Sequence, residues 1–191
     1  MPMRAFLDAG VNVSLGTDGC GSIETVDMLR AVASTALVHK LRGDDHTRWV
    51  DAGDAWHAGT LGGAKALGFE GKMGLVAPGM RADVTCYKLV SSAFTPLNNP
   101  LRQLVYGETG ADLDTIIIDG RVVMRYGKLS GIDEDSILSE AQEAHAELEP
   151  FISAAEEQTA EMAPAYARIY ARCQALAIDP AVLPARFPDL K

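Results

Sequence analysis

The chain has 191 residues, of which 48% are hydrophobic and 23% charged, as is ordinary for a globular protein with a sizeable core. Its net charge of −9 is concentrated at one end, since residues 132–191 carry 12 acidic and 4 basic side chains, against 14 and 13 in residues 1–131. Because the acidic end would repel phosphates, we expect neither a nucleic acid nor an anionic membrane surface as a partner. No apolar run approaches the ~20 residues that span a bilayer.

The N-terminus lacks the basic start and long apolar stretch of a signal peptide, so we expect a cytoplasmic protein. The three cysteines are odd in number, far apart, and in neither a CxxC motif nor a Cys/His cluster: Cys20, Cys86 and Cys173. A disulfide framework or a structural zinc site is therefore not expected. We expect buried free thiols.

The first predicted elements are a helix and a strand that lead into a polar loop. Residues 4–9 have a helical pattern with Gly10 as the C-terminal cap, and residues 11–15 alternate apolar and polar side chains. The predicted strand ends at the sequence Gly-Thr-Asp-Gly of residues 16–19.

A second helix is predicted from residue 23 to residue 42. Ser22 is a plausible N-cap, acidic residues follow it, basic residues precede the end, and Gly43 stops the helix. Apolar side chains recur at helical spacing and predict one buried stripe: Val26, Leu29, Ala33, Ala36 and Leu37.

A third helix is predicted from about residue 54 to residue 67, with Gly68 as its cap. It contains Gly59, Gly62 and Gly63, each of which weakens a helix by up to ~1 kcal/mol. Glycines retained at such a cost indicate that the helix backbone closely approaches a neighbour.

From residue 74 the pattern changes to the two-residue period of strands. Pro78 and Gly79 predict a turn, and strands are predicted at residues 83–89, 114–119 and 121–126. Asp119-Gly120 between β-branched runs is a strong hairpin signal, because both central residues of the turn need positive φ.

Two helices are predicted in the acidic end, at residues 133–149 and 164–177. Pro150 should end the first and Pro164 should begin the second. The first has an apolar face made of Ile137, Leu138, Ala141, Ala144, His145 and Leu148.

These residues resemble the amidohydrolase superfamily, in its branch of cytosine-deaminase-like, guanine-deaminase-like and triazine-hydrolase-like enzymes. The central motif is the Leu-Gly-Thr-Asp-Gly of residues 15–19. The resemblance extends, in one order, over residues 2–4, 9–11, 22, 27–28, 63–68, 72–76, 78–79, 82–84, 99–100, 104–106, 118–123 and 127–129. It covers the chain from about residue 2 to about residue 130.

The resemblance implies an α/β fold: the C-terminal part of a (β/α)8 metal-dependent hydrolase barrel, part of a small β-sandwich, and a helical tail. Residues 11–15 would be the last barrel strand. The implied domains are the last βα unit of the barrel at 1–72, the β-sandwich portion at 73–131, and the acidic tail at 132–191. Catalytic residues of such barrels lie at the C-terminal ends of the strands, where Asp18 falls.

The implied function is metal-dependent hydrolysis of a C–N or C–Cl bond in a cyclic amidine such as a purine, pyrimidine or triazine. The implied cofactor is zinc or iron, which supplies a nucleophilic water at neutral pH. By resemblance, Asp18 is the catalytic residue, as both metal ligand and proton shuttle. Without the family, an Asp before Gly after a strand is more typical of a turn or a helix cap.

The histidines depart from the family pattern. The resemblance implies a His-x-His pair and further histidines before the last strand, whereas His39, His46, His57 and His145 all follow Asp18 and form no such pair. We expect them to be surface or packing residues. The chain alone should therefore bind metal poorly and have little hydrolase activity.

Two residues near Asp18 in sequence are secondary candidates. Ser22 resembles the serine after the family's metal Asp and could bind substrate, but its place as an N-cap already explains it. The expected Asn after it is replaced by Ile23. Cys20 could line the site or serve as apolar filler.

Two hypotheses of function remain. In the first, an intact or complemented enzyme hydrolyses a small molecule. In the second, the chain is a non-catalytic fragment or association module derived from the family. In both, an unpaired strand and an uncovered apolar face predict a homo-oligomer or a complementing chain.

Overall fold

The computed structural model describes residues 2–42 and 45–176. They form two compact units that divide between Ile132 and Asp133. The helices are α1 (Met3–Asp8), α2 (Cys20–Ile23), α3 (Met28–Val38), α4 (Ala52–Gly59), α5 (Leu61–Ala66), α6 (Pro100–Tyr106) and α7 (Glu134–Ala175), with 3₁₀ helices at His39–Arg42 and His46–Arg48. The strands are β1 (Val84–Tyr87), β2 (Leu113–Ile118), β3 (Arg121–Arg125) and β4 (Lys128–Leu129). None of the helices within these ranges is long and apolar enough to cross a membrane.

The core of the first unit lies among its helices, in two clusters of small and branched apolar side chains. One cluster joins α3, α4 and α6 through Val32, Ala36, Ala52, Ala55 and Val105. The other joins α1 to the following segment and to α4 through Met3, Val13, Val50 and Ala58. Leu15 packs against both clusters, so it links the two halves of this core.

The helix predicted at residues 4–9 is confirmed as α1. Gly10 has φ +71°, and its N–H donates to the Leu7 carbonyl at 3.0 Å, as expected of a glycine cap. The strand predicted at residues 11–15 is wrong, because residues 11–19 have no regular secondary structure. A strand requires a paired neighbour, and the sheet formed by the described residues consists of β1 to β4.

The second predicted helix begins later than the sequence indicates. Ser22 is wrong as its N-cap, since it lies inside the short helix α2, which ends at Glu24 in a left-handed conformation with φ +63°. The cap of α3 is Asp27, whose carboxylate accepts the N–H of Arg30 at 3.1 Å. The predicted stop at Gly43 lies outside the described residues.

The predicted apolar stripe of this helix is only partly buried. Ala36 is fully buried, Leu29 and Ala33 are half-buried, and Val26 and Leu37 are exposed. The stripe was placed on a helix starting at residue 23, whereas Val26 precedes α3, so it cannot lie on the buried face.

The helix predicted at residues 54–67 is two helices that meet at Thr60. Thr60 leaves the helical region with φ −118° and ψ −90°, and its hydroxyl donates to the Trp56 carbonyl at 2.8 Å. The predicted close approach is confirmed at Gly62, where an added Cβ would lie 2.3 Å from the Val13 carbonyl oxygen. Gly68 ends the pair with φ +76°, as predicted.

The β-structure is a four-stranded antiparallel sheet in the order β1-β2-β3-β4. The hairpin between β2 and β3 is confirmed, with Asp119 at φ +49° and Gly120 at φ +77°. The Pro78-Gly79 turn is also confirmed, since the Met80 N–H donates to the Ala77 carbonyl at 3.2 Å and Gly79 has φ +86°.

The second unit is built on one helix of 42 residues, α7, where two were predicted. Pro150 and Pro164 both lie inside it, so the predicted end and start at these prolines are wrong. Asp133 caps α7 by accepting the Ser136 N–H at 3.2 Å. All of its residues are exposed, including those of the predicted apolar face. The predicted end at residue 177 lies outside the described residues.

The three cysteines are free thiols, as predicted, but the prediction that they are buried is wrong, because all three are exposed. Cys20 begins the exposed helix α2, Cys86 lies at an outward position of β1, and Cys173 lies on α7. None of these positions faces the helical core.

Candidate active site

The segment that leads to Asp18 is held in place by backbone contacts with α4 and α5. The Leu15 N–H donates to the Ala58 carbonyl at 3.2 Å, and the Asn12 side-chain amide donates to the Gly62 carbonyl at 3.0 Å. Val13 between them is 8% exposed. Residues 12–15 are therefore held against α4 and α5, and Asp18 follows three residues later.

Asp18 itself has an unusual backbone conformation and an exposed side chain. Its φ of +63° is uncommon for a residue with a Cβ, although Asp tolerates it better than most. The Gly19 N–H donates to Asp18 Oδ1 at 2.8 Å, and the Thr17 hydroxyl donates to the Asp18 carbonyl at 3.1 Å. Such conformations cluster at functional sites and at switch regions. The carboxylate is thus oriented by its own loop and is open to solvent.

The helix that follows carries the two secondary candidates. Cys20 and Ser22 are both exposed, and the Ser22 N–H donates to the Gly19 carbonyl at 2.9 Å. Since Ser22 does not cap α3, its structural explanation is removed. Its role as a substrate contact stays a prediction.

Asp18 does not form a metal site with the other described residues. Within residues 2–42 and 45–176, no three His, Cys, Asp or Glu side chains are grouped so that they could hold a metal ion. His46, His57 and His145 are exposed, and His39 is half-buried at the end of α3. A catalytic zinc ion takes three protein ligands, so the residues present do not fit this metal by themselves.

Glu108 is a buried carboxylate that sequence reasoning missed. It is 5% exposed, and its Oε1 accepts the backbone N–H groups of Thr109, Gly110 and Asp112 at 3.0, 2.6 and 3.1 Å. The signal in the sequence is an acidic residue just before a Thr-Gly turn, where a side chain can satisfy the turn's donors. Glu108 therefore shapes the loop before β2.

Tyr87 at the end of β1 lies in the field of this carboxylate. Burial raises the pKa of its phenol, a hydrogen bond with Thr85 opposes that rise, and the negative charges of Glu108 and Asp27 add to it. Its ring also packs 6.4 Å from that of Phe94. These contacts make Tyr87 a structural residue of the first unit.

A pocket of 460 Å³ lies elsewhere in the first unit. Lys40 lies at its wall, with Nζ 3.1 Å from the Tyr106 hydroxyl and 4.5 Å from the centre of the Tyr106 ring. Of the residues considered in the sequence, His46 lines this pocket, and Asp18 and Ser22 do not. The pocket is therefore not the site that the sequence predicts.

The model of the Amidohydrolase family matches residues 1–123 of the chain. The 5'-deoxyadenosine deaminase of Methanothermobacter thermautotrophicus is 40% identical over 147 residues, which are 77% of this chain and 34% of that protein. The 5-methylthioadenosine/S-adenosylhomocysteine deaminase of Acetivibrio thermocellus is 39% identical over 132 residues, which are 69% of this chain and 30% of that protein. The chain thus spans about a third of the length of these curated relatives.

Solved structures give the same grouping. An adenosine deaminase from Xanthomonas campestris with bound zinc has a TM-score of 0.74 and 31% identity, over 78% of this chain and 34% of its own. The atrazine chlorohydrolase of Arthrobacter aurescens, in complex with zinc, has a TM-score of 0.69 and 24% identity, over 74% of this chain and 31% of its own. At that identity the second likeness concerns the fold alone. Both of these structures contain zinc.

Proposed function

This chain belongs to the amidohydrolase family, and we propose that it forms the C-terminal part of a zinc-dependent deaminase in which Asp18 is a metal ligand and proton shuttle. In this proposal residues 11–15 take the place of the last strand of a (β/α)8 barrel, and residues 73–131 form part of a small β-sandwich. Residues 11–15 have no strand partner among the described residues, which agrees with neighbours supplied from outside them.

The position of Asp18 is the observation that carries the proposal. Its carboxylate stands at the end of a segment fixed to α4 and α5, in a left-handed conformation, with one oxygen held by the Gly19 N–H. A residue that only forms a turn does not require the preceding segment to be fixed to two helices. A metal ligand that must meet ligands from other strands does require it, because catalytic geometry tolerates displacements of less than about 1 Å.

The proposed metal needs ligands that the described residues do not provide. When bound, such a metal lowers the pKa of a coordinated water toward ~7. Asp18 alone does not hold it, so the isolated chain should contain little zinc and have little activity. The remaining ligands would be the histidines that the family brings from earlier barrel strands.

We further propose that the substrate is an adenine nucleoside. The relatives that are 37–40% identical to this chain are named as deaminases of 5'-deoxyadenosine or of 5-methylthioadenosine and S-adenosylhomocysteine. Ser22, exposed on α2 directly after the Asp18 loop, is the residue of this chain that we propose contacts the substrate.

The first test is the DNA upstream of the codon for Met1. An open frame that continues upstream and encodes His-x-His about 250 residues earlier, a spacing set by ordinary barrel length, supports the deaminase. A ribosome-binding site directly before this codon favours the alternative, a non-catalytic association module. The exposure of the whole of α7 is the observation that favours that module.

The second test uses the protein encoded by the extended frame. We expect stoichiometric zinc by mass spectrometry and release of ammonia from 5'-deoxyadenosine. Asp18→Asn should lower kcat by about 10²- to 10⁴-fold, the range of a lost acid–base group. The control is Glu70→Gln, which removes an exposed carboxylate paired with Lys65 and should leave activity unchanged. Full activity in Asp18→Asn would refute the role of this residue.

A further inference from the structure

Helix α7 carries a regular apolar seam along one side. Its seam positions are separated alternately by three and four residues without interruption: Leu138, Ala141, His145, Leu148, Ile152, Ala155, Thr159, Met162, Tyr166, Ile169 and Cys173. This spacing is the heptad repeat of helices that pack side by side, and it continues over five heptads. Nine of the eleven side chains are apolar, and His145 and Thr159 are the exceptions. The hydroxyl of Thr159 is satisfied within its own helix by the Ala155 carbonyl at 2.7 Å, so even this polar residue suits the seam.

The two prolines of α7 fit the same repeat. Pro150 and Pro164 lie two heptads apart, and both occupy the position directly opposite the seam. A proline removes a backbone hydrogen bond and bends a helix, so two of them in a lone helix are unfavourable. On the outer side they leave the seam intact.

The seam is exposed and large enough for a stable interface. Leu148 is 53% exposed and Ile169 57%, although each is an apolar side chain of the seam. The helix is about 63 Å long. The seam and its two flanking columns supply the 20–30 residues that each partner contributes to a standard interface of about 800 Å² per partner.

The distribution of charge on α7 points to the partner. The helix's nine acidic side chains all lie between Glu134 and Glu161, and its two basic ones, Arg168 and Arg172, lie near its end. Two copies placed antiparallel bring the basic end of each beside the acidic half of the other. Parallel copies would set the acidic halves against each other.

We propose that α7 pairs with α7 of a second copy of this chain, antiparallel and about a two-fold axis, through this seam. Helix α7 begins beyond residues 1–123, which the family model matches. The proposal is independent of the role of Asp18.

The test is the mass of the whole chain in solution. By sedimentation velocity the unaltered chain is expected to be a dimer at micromolar concentration. Leu148→Glu combined with Ile169→Glu should raise the Kd by at least ~100-fold, because two apolar seam positions of each copy would bury a charge. The matched control, Ala154→Glu combined with Ala171→Glu, adds the same charge on the outer side and should stay dimeric.

A second variant keeps the test decisive if the charged seam variant fails to fold. Leu148→Ala combined with Ile169→Ala preserves helix propensity and should also dissociate while retaining its far-ultraviolet circular dichroism. A monomeric unaltered chain, a dimer that survives both seam variants, or equal dissociation of the outer-side control would overturn the proposal. A monomeric unaltered chain would mean that the seam does not bind a second copy.

Disulfide trapping tests the orientation. In a chain with Cys20→Ser and Cys86→Ser, the two Cys173 thiols of an antiparallel pair lie at opposite ends and should not cross-link on oxidation. Adding Ala141→Cys should produce a bond between residue 141 of one copy and residue 173 of the other. The antiparallel register that pairs the two alternating kinds of seam position in shared layers places 141 beside 173, 148 beside 166 and 155 beside 159. Efficient cross-linking through Cys173 alone would show a parallel pair and reject the antiparallel arrangement.

Discussion

Residues 11–19 and helix α7 are opposites in how their structure is held. Residues 11–19 have no regular secondary structure, yet Val13 is buried and Leu15 and Asn12 are hydrogen-bonded to α4 and α5. Helix α7 is regular over 42 residues and buries none of them. Contacts with other elements hold the first in place, whereas the second has its regular structure without burying any of its residues.

This difference shows what each region still requires. Residues 11–15 are held in position without neighbouring strands. This suits the proposed role of Asp18, which would share a metal ion with ligands from other parts of the barrel. A long helix that buries none of its residues lacks the packing that gives most protein helices their stability.

The largest effect is expected at the close approach between residue 62 and Val13. In Gly62→Ala the new Cβ would lie 2.3 Å from the Val13 carbonyl oxygen and 3.2 Å from that of His57. Both neighbours are backbone atoms that cannot rotate away, so the free energy of unfolding should fall by about 3 kcal/mol. Urea denaturation measures it.

The control for this prediction is the next residue. Gly63→Ala places its Cβ 3.8 Å from the Ala58 carbonyl oxygen, an ordinary contact, on the same helix. Since alanine is the better helix former, stability should rise by about 0.5–1 kcal/mol. Equal losses at both positions would show that α5 does not depend on this approach.

A smaller effect is expected from removing the same kind of N-cap in the two regions. Asp51 caps α4 by accepting the Asp54 N–H at 2.9 Å, within a reciprocal capping box. Asp51→Ala should lower the free energy of unfolding of the first unit by about 1 kcal/mol. Asp133→Ala should instead reduce helical circular dichroism and leave that unit's unfolding midpoint unchanged. A shift of that midpoint by Asp133→Ala would show that the stability of the first unit depends on α7.

The smallest effect concerns alkaline stability. Because burial raises the pKa of Tyr87 above its ordinary value of 10.0, the folded state holds the phenolic proton more tightly than the unfolded state does. This stabilisation is complete below the ordinary pKa and is lost as the pH rises through the raised one. Tyr87→Phe should therefore lessen the loss of stability as the pH rises above the ordinary tyrosine pKa of 10.0, measured by urea denaturation. An unchanged loss would exclude Tyr87 as its source.

The sequence predicts the structure where a local rule has no competitor. Asp119-Gly120 has the residues that its turn needs, and the predicted hairpin is confirmed. The close approach predicted from three glycines is confirmed at Gly62, whereas Gly63 makes only an ordinary contact at 3.8 Å. Both predictions concern backbone geometry that few residues tolerate, so the residue type carries the information.

Prediction fails where two local signals compete, or where contacts with another part of the chain determine the structure. Ser22 and Asp27 are both good caps, and the positive φ of Glu24 between them gives the cap of α3 to Asp27. Pro150 and Pro164 are strong local stops, but α7 runs through both. For the site, the prediction of Asp18 rests on the resemblance alone. Nothing in the periodicity of residues 11–15 distinguishes a strand from a segment that packs against neighbouring helices without pairing.

The break at Thr60 shows how a defect in one element can support another. In a continuous α-helix the carbonyl of Ala58 would accept the N–H of residue 62. Here the chain turns at Thr60, and that carbonyl accepts the N–H of Leu15 instead. The break in the helix thus leaves this carbonyl to the segment that leads to Asp18. A substitution that straightens residues 52–66 into one helix is expected to weaken the hydrogen bond to Leu15, three residues before Asp18, and so to alter the placement of Asp18 from a distance.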